Sequence, residues 1–188
     1  MILGSHNSWS YLPPTDWWMR IYRFAARCQD WDIKTQYEHG VRCFDLRVKF
    51  IEGLPYFVHN IFMYDYSPEE MEQDLKWLND KGDVYIRVSL DVRTKKVIEQ
   101  AKNFTAYCRH LEETFSNIAF CGGNELYKGE NLYNFDNSPS FEEHYSSVEG
   151  SKLNGLFPRR WAKKHNKRIY DKGTDKQILM LDFVNYVA

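Results

Sequence analysis

Five short apolar runs in this chain each end on a charged or strongly polar residue. They read ILGSHN at the start, VRCFDLR from Val41, YFVHN from Tyr56, VYIRVSLD from Val84 and ILMLD from Ile178. Helical signatures lie between them. SPEEMEQDLKWLNDKG has a Ser cap, Pro and Glu in its first turn and Gly at its end. TKKVIEQAKNFTAYCRHLEETF carries a long helical pattern, and NIAFCGG reads as a further short strand. An apolar strand that stops on a polar residue, followed by a helix, is the pattern of a parallel βα unit.

Repetition of that unit predicts an α/β fold, a compact, distorted TIM-type (β/α) barrel. At 188 residues the chain is shorter than the usual 250 or so, so some helices should shrink to loops. A single catalytic domain over residues 1–188 is expected. In such a barrel the C-terminal strand ends face the active site. His6, Asp45 with Arg47, His59, Asp91 and Asp182 should therefore meet at one mouth. Elsewhere, TDWWMRIYRFAARCQ suggests a helix capped by Thr15 or Asp16, with Trp18, Ile21, Tyr22 and Ala25 on a core-facing side. FPRRWAKKHN suggests a short helix, and KQILMLDFVNYV a strand interrupted by Asp182. The stretch from Asn124 to Asn154 suggests a strand and a long loop.

Charge excludes some partners. The net charge is −1 with no block of one sign, which argues against nucleic acid. No apolar run approaches the roughly 20 residues of a membrane span. The N-terminus lacks a signal-peptide pattern, so the protein is expected to be cytoplasmic, or secreted if a leader lies outside these residues. Cys28, Cys43, Cys108 and Cys121 have no zinc spacing and are expected to be buried free thiols, although a Cys28–Cys108 bridge is compatible with the sequence.

Two histidines, an arginine and carboxylates in one pocket suit phosphoryl transfer. One His can take a proton from an attacking hydroxyl and the other can give one to the leaving oxygen. The guanidinium fork can hold a phosphate. Each residue alone has a plainer reading: Asp45 and Arg47 could form an ordinary salt bridge. Asp182 inside an apolar strand is different, because a buried carboxylate needs a partner. His39, His110, His144 and His165 are read as packing or surface residues.

The segments GSHNSW, QDWDIKTQYEHGVRCFDLRVKF and LPYFVHN resemble the X-region of bacterial-type phosphatidylinositol-specific phospholipase C, with looser matches at VSLD and LDFV. The resemblance implies that His6 is the general base for the inositol 2-hydroxyl and His59 the general acid for the diacylglycerol leaving group. It implies that Arg47 stabilises the phosphate, Asp182 orients His6, and Asp45 supports Arg47. Asn7 and Asp91 would contact substrate. The products would be diacylglycerol and a cyclic inositol phosphate. Asn7, Asp45 and Asp91 also mimic three oxygen ligands of the calcium-dependent relatives. Arg47 would repel a divalent ion there, so no metal or other cofactor is expected. The expected partner is a phosphoinositide lipid or an inositol phosphate at a membrane surface, met by a monomer. Two alternatives are a related phosphodiesterase for another phospholipid or glycerophosphodiester head group, and a non-catalytic head-group binding module.

Two further expectations concern aromatics. Trp17, beside Arg20, Arg23 and Tyr22, is the candidate membrane-interface residue. Tyr127, Tyr133 and Tyr145 are candidates to stack on a sugar ring.

Overall fold

The computed structural model describes residues 1–92, 97–123, 133–150 and 156–187. Its centre is a curled sheet of six parallel strands. They are β1 (Ile2–Ser5), β2 (Val41–Ile51), β5 (Val84–Leu90), β6 (Ile118–Gly122), β7 (Phe141–His144) and β8 (Ile178–Leu181), in the order β6-β5-β2-β1-β8-β7. Among the described residues no ladder joins β6 to β7, so the curl is a barrel open on one side. Strand–helix alternation thus produces the expected fold in trimmed form.

Period-two alternation sorts the side chains. On β2, Phe44, Leu46 and Val48 face outward and pack with Met71, Leu75 and Leu78 of α3 (Pro68–Lys81) and Phe104, Cys108 and Leu111 of α4 (Val97–Thr114). Cys43 belongs to a separate inner cluster with Ile178, Met180 and Tyr145. Asp45 and Arg47 share the inner face with Cys43, as Arg87 does with Tyr85 on β5. Gly4 of β1 lets the wall close, because a Cβ there would sit 2.2 Å from Met180 Sδ and 3.3 Å from Cys43 Cβ. The floor of the lumen is therefore apolar, and the polar residues form a layer above it.

α3 follows its sequence signals. Ser67 and Glu70 form a reciprocal capping box, Pro68 opens the helix, and Gly82 at φ 75° ends it. α6 (Pro158–Lys172) runs longer than the short helix expected, up to Gly173.

Three other expectations need correction. YFVHN is not a further parallel barrel strand: β3 (Leu54–His59) folds back antiparallel on β2, with Val48 opposite Phe57, and pairs with β4 (Phe62–Met63). The EGLP turn makes the hairpin. The segment after Asp16 is no single helix, but a 3-10 stretch, Trp17–Tyr22, followed by one α turn, α1 (Arg23–Ala26). Trp18 is 45% exposed and Ile21 is also exposed, so that face does not enter the core. β8 ends at Leu181 rather than continuing past Asp182, because Phe183 adopts φ 48° and breaks the strand. Of the stretch from Asn124 to Asn154, residues 124–132 and 151–154, including Tyr127, lie outside the described residues; β7 and α5 (Ser146–Glu149) fall within the rest. All four cysteines are free and buried.

Candidate active site

His6 follows β1, with its backbone N–H donating to the Leu181 carbonyl of β8. Gln29, fully buried, fixes that corner by donating to the carbonyls of His6 and Leu181 and accepting from Val184 N–H. The next residue, Asn7, takes the left-handed region at φ 46°, and its backbone N–H donates to Asp45 Oδ2 at 2.9 Å. Asparagine tolerates that conformation, which explains a polar break so soon after the first strand.

His6 Nδ1 lies 2.6 Å from Asp182 Oδ1. A carboxylate only accepts, so the proton sits on Nδ1 and the neutral ring keeps its lone pair on Nε2. That atom lies 3.9 Å from Asp45 Oδ2, on the side of the lumen. Tyr145 stacks on the His6 ring at 3.9 Å and 15° and donates its hydroxyl proton to Glu143.

Asp45 is fully buried and held at both oxygens. Arg47 Nε donates to Oδ2 at 2.8 Å and Arg87 Nε to Oδ1 at 3.1 Å. Burial alone would push this carboxyl up. Arg47, Arg87 and His6 outweigh it and hold the group far below the usual carboxylate range. Burial opposes the charge on Arg47, but Asp45 raises its pKa above the ordinary value. Arg87 also pairs with Glu143, so the chain from His6 through Asp45, Arg87 and Glu143 to Tyr145 encloses one charged network. Asp91 anchors the other rim: it accepts from Asn60 N–H at 2.9 Å and lies 4.0 Å from Arg47.

His59 enters from the hairpin. Because β3 returns along β2, with Phe57 opposite Val48, its last residue comes back down two positions beyond that pair, to the level of the charged layer. The two histidine rings are 6.0 Å apart and nearly perpendicular. His59 Nδ1–H donates to the Ala26 carbonyl at 2.9 Å, which leaves Nε2 as the second exchangeable position. Burial, then Arg47 and His6, lower its pKa to about 4.

The structure therefore brings His6, Asp45, Arg47, His59, Asp91 and Asp182 together, with Asn7 contributing its backbone N–H. Sequence reasoning missed Arg87 and Glu143. An arginine inside the apolar run VYIRVSL was a usable signal, since it too needs a buried partner. Glu143 lay in a stretch without clear periodicity. Tyr145 is not presented to a sugar ring, because one face is spent on His6 and the residue is buried. Tyr133 donates to Glu112 of α4 and packs against Phe135, away from the network.

The donor sets for a metal are both constrained. Both oxygens of Asp45 face guanidinium groups, which does not fit a Ca²⁺ ligand. His6, Cys28 and Asp182 place donor atoms within 4.8 Å of one another. However, Asp182 already holds His6, and burial, with Asp182, pushes the Cys28 thiol up and keeps it protonated.

A two-histidine, two-arginine cluster on the inner face of an open parallel α/β barrel is thus the class of site defined here. Solved structures of that architecture match almost the whole chain. Phosphatidylinositol-specific phospholipase C from Listeria monocytogenes superposes with a TM-score of 0.65 at 14% identity, covering 99% of this chain and 89% of that one. Two mutant forms of the Staphylococcus aureus phosphatidylinositol-specific phospholipase C give TM-scores of 0.62 and 0.63 at 16% and 17% identity, covering 98% of this chain and 86% and 85% of theirs. The chain has the fold of these bacterial phospholipases C. No family model and no curated protein matches it.

Proposed function

We propose that this protein cleaves the phosphodiester of phosphatidylinositol-type lipids by internal attack, releasing diacylglycerol and a cyclic inositol phosphate. The observation that carries the reading is the placement of the two histidines. His6 has its proton fixed on the side of Asp182 and a lone pair facing the lumen. His59 stands across a gap on the scale of a phosphoryl group, with Arg47 beside it.

In this reading the substrate's 2-hydroxyl gives its proton to His6 Nε2 as its oxygen bonds to phosphorus. Asp182 stabilises the imidazolium so formed, and stacking on Tyr145 limits its rotation. Arg47 offsets charge on the equatorial oxygens, preorganised by Asp45 so that it needs no reorientation during reaction. The bond from phosphorus to the glycerol oxygen breaks, and His59 supplies the proton that this oxygen takes up. The proton inventory imposes one condition. With its pKa near 4, His59 is neutral at neutral pH in the free protein. The anionic phosphodiester beside it must raise that value, so substrate charges its own acid. His6 then returns its proton to solvent.

The chemistry runs without a metal in this reading, with Arg47 and Arg87 occupying the carboxylate that a cation would need. The protein acts on lipid at a membrane surface, and Asn7 and Asp91 line the substrate pocket beside Arg47. The test is ³¹P NMR of the protein with phosphatidylinositol: appearance of a cyclic inositol phosphate that is lost in His6→Ala supports the reading. Release of only an acyclic phosphate, or turnover retained by that variant, overturns it.

A further inference from the structure

Beside the mouth, a groove of about 670 Å³ runs between α1 and the start of α6. Five cations line it: Arg23, Arg27, Arg159, Arg160 and Lys163. No acid lines it. Asp30 lies next to it and pairs with Arg27 at 3.2 Å and with Arg159. Among the described residues Arg23, Arg160 and Lys163 have no carboxylate within ion-pair distance, and Arg23 Nε is buried without a hydrogen bond. Among the described residues no side chain caps the N-terminus of α6, which opens on the same end. Like charges gathered in this way repel, and burial and Arg27 together hold the pKa of Arg23 below its ordinary value. An anion in the groove relieves that repulsion.

The walls indicate which anion. Phe24 and Phe157 stack across the groove at 5.7 Å and 18°. Both are exposed, and the exposed apolar row continues through Trp17, Trp18, Ile21 and Leu156. A free phosphate gains nothing from such a rim, whereas a bilayer buries it while presenting phosphates at the same depth. The groove also shares a wall with the catalytic layer: Phe183, which follows Asp182, lies under Arg159 at 5.0 Å.

We propose that this groove binds the phosphate of a non-substrate anionic phospholipid, a second lipid site beside the catalytic one. It rests on the function proposed above only in setting this face against a membrane. Occupancy would hold the mouth at the bilayer while the lumen remains open to substrate.

The test is cosedimentation of the full chain with phosphatidylcholine vesicles, with and without phosphatidylglycerol, neither of which is the proposed substrate. The parent should bind more tightly when phosphatidylglycerol is present, and less so as salt rises. Arg160→Gln/Lys163→Gln, both exposed, should weaken binding to the mixed vesicles about 30-fold, since each basic residue near an anionic surface contributes roughly fivefold. Its binding to pure phosphatidylcholine and its melting temperature should not move. Equal binding of variant and parent to the mixed vesicles overturns the proposal. So does a groove that takes inorganic phosphate, seen as chemical-shift changes absent in the variant, while vesicle binding ignores phosphatidylglycerol. Phosphatidylglycerol-dependent binding by a protein that releases no cyclic phosphate would support this site and overturn the catalytic reading.

Discussion

Asp182 Oδ1 meets His6 Nδ1 at 2.6 Å across the join between the last strand and the first, 176 residues apart in sequence. The pairing of β1 with β8 is what makes this contact. Ser5 sits opposite Leu181, so the residue after each strand faces the other. Asp182→Asn keeps the shape but can present its N–H to the ring and favour the wrong tautomer. Turnover of phosphatidylinositol should fall about 10³- to 10⁴-fold in kcat with little change in KM. The ¹⁵N shifts of His6 should show the proton moved to Nε2. An unchanged tautomer and rate would remove Asp182 from the positioning role.

Arg47 and Arg87 hold the same carboxylate but should fail differently. Arg87 is buried between Asp45 and Glu143. Arg87→Met takes one of the two guanidinium partners from buried Asp45 and the ion-pair partner from Glu143, and should cost about 3 kcal/mol in urea unfolding. Arg47 lies nearer the opening, so Arg47→Lys should largely spare stability and lower kcat, because an ammonium cannot hold Asp45 and phosphate in one plane. A stable Arg87→Met protein would show that Asp45 is held by Arg47 alone.

His59 links fold and chemistry through pH. Its pKa is near 4 when folded, against about 6.5 when unfolded. The unfolded chain therefore takes up a proton first as pH falls. The stability that neutral His59 contributes is complete above about 6.5 and is lost on descending towards 4, by roughly 3 kcal/mol in all. Asp45, with its depressed pKa, adds its own loss only at lower pH. Chemical denaturation of the parent and His59→Gln between neutrality and pH 4.5 should show the slope reduced in the variant. NMR titration should place the His59 ring near 4 in the free protein and higher with bound inositol phosphate. A ring titrating near 6.5 in the free protein would contradict this account of its burial.

Chelation should not matter to the proposed reaction. With both Asp45 oxygens against guanidinium groups, EDTA should leave phosphatidylinositol turnover unchanged. Inhibition by EDTA that Ca²⁺ restores would mean that Arg47 swings away and Asn7, Asp45 and Asp91 become ligands.

How much of this site could be read from the sequence depends on how local each signal is. Strand ends on polar residues announced His6, Asp45, Arg47, Asp91 and Asp182, because burial in an apolar run demands a partner whatever the fold. His59 was also legible, but the route by which it arrives was not: whether YFVHN runs parallel or doubles back is decided by pairing with the upper half of β2, which periodicity does not encode. Arg87 and Glu143 depend on each other across β5 and β7, strands that share no ladder among the described residues. The exposure of Trp18 was misread for a similar reason. A helical face was assumed, and the 3-10 stretch with a single α turn after it does not keep the 3.6-residue stripe.

Trp17 carries the last prediction. It is 75% exposed, on the 3-10 stretch beside the mouth, with Ile21, Tyr22 and Phe24 also in the open. Among the described residues nothing in the packing accounts for a large aromatic there, and the charged groove lies alongside. If this face meets the bilayer, the indole supplies apolar burial whereas the groove supplies charge, and the two should separate experimentally. Trp17→Ala should weaken binding to pure phosphatidylcholine vesicles roughly tenfold, a loss that salt does not change, because it comes from apolar area. Hydrolysis of a soluble short-chain phosphatidylinositol should stay near the parent rate, since the residue touches no part of the His6–Asp45–Arg47 network. Equal loss on vesicles and on the soluble substrate would place the defect in the pocket and leave the docking face to be sought on another part of the rim.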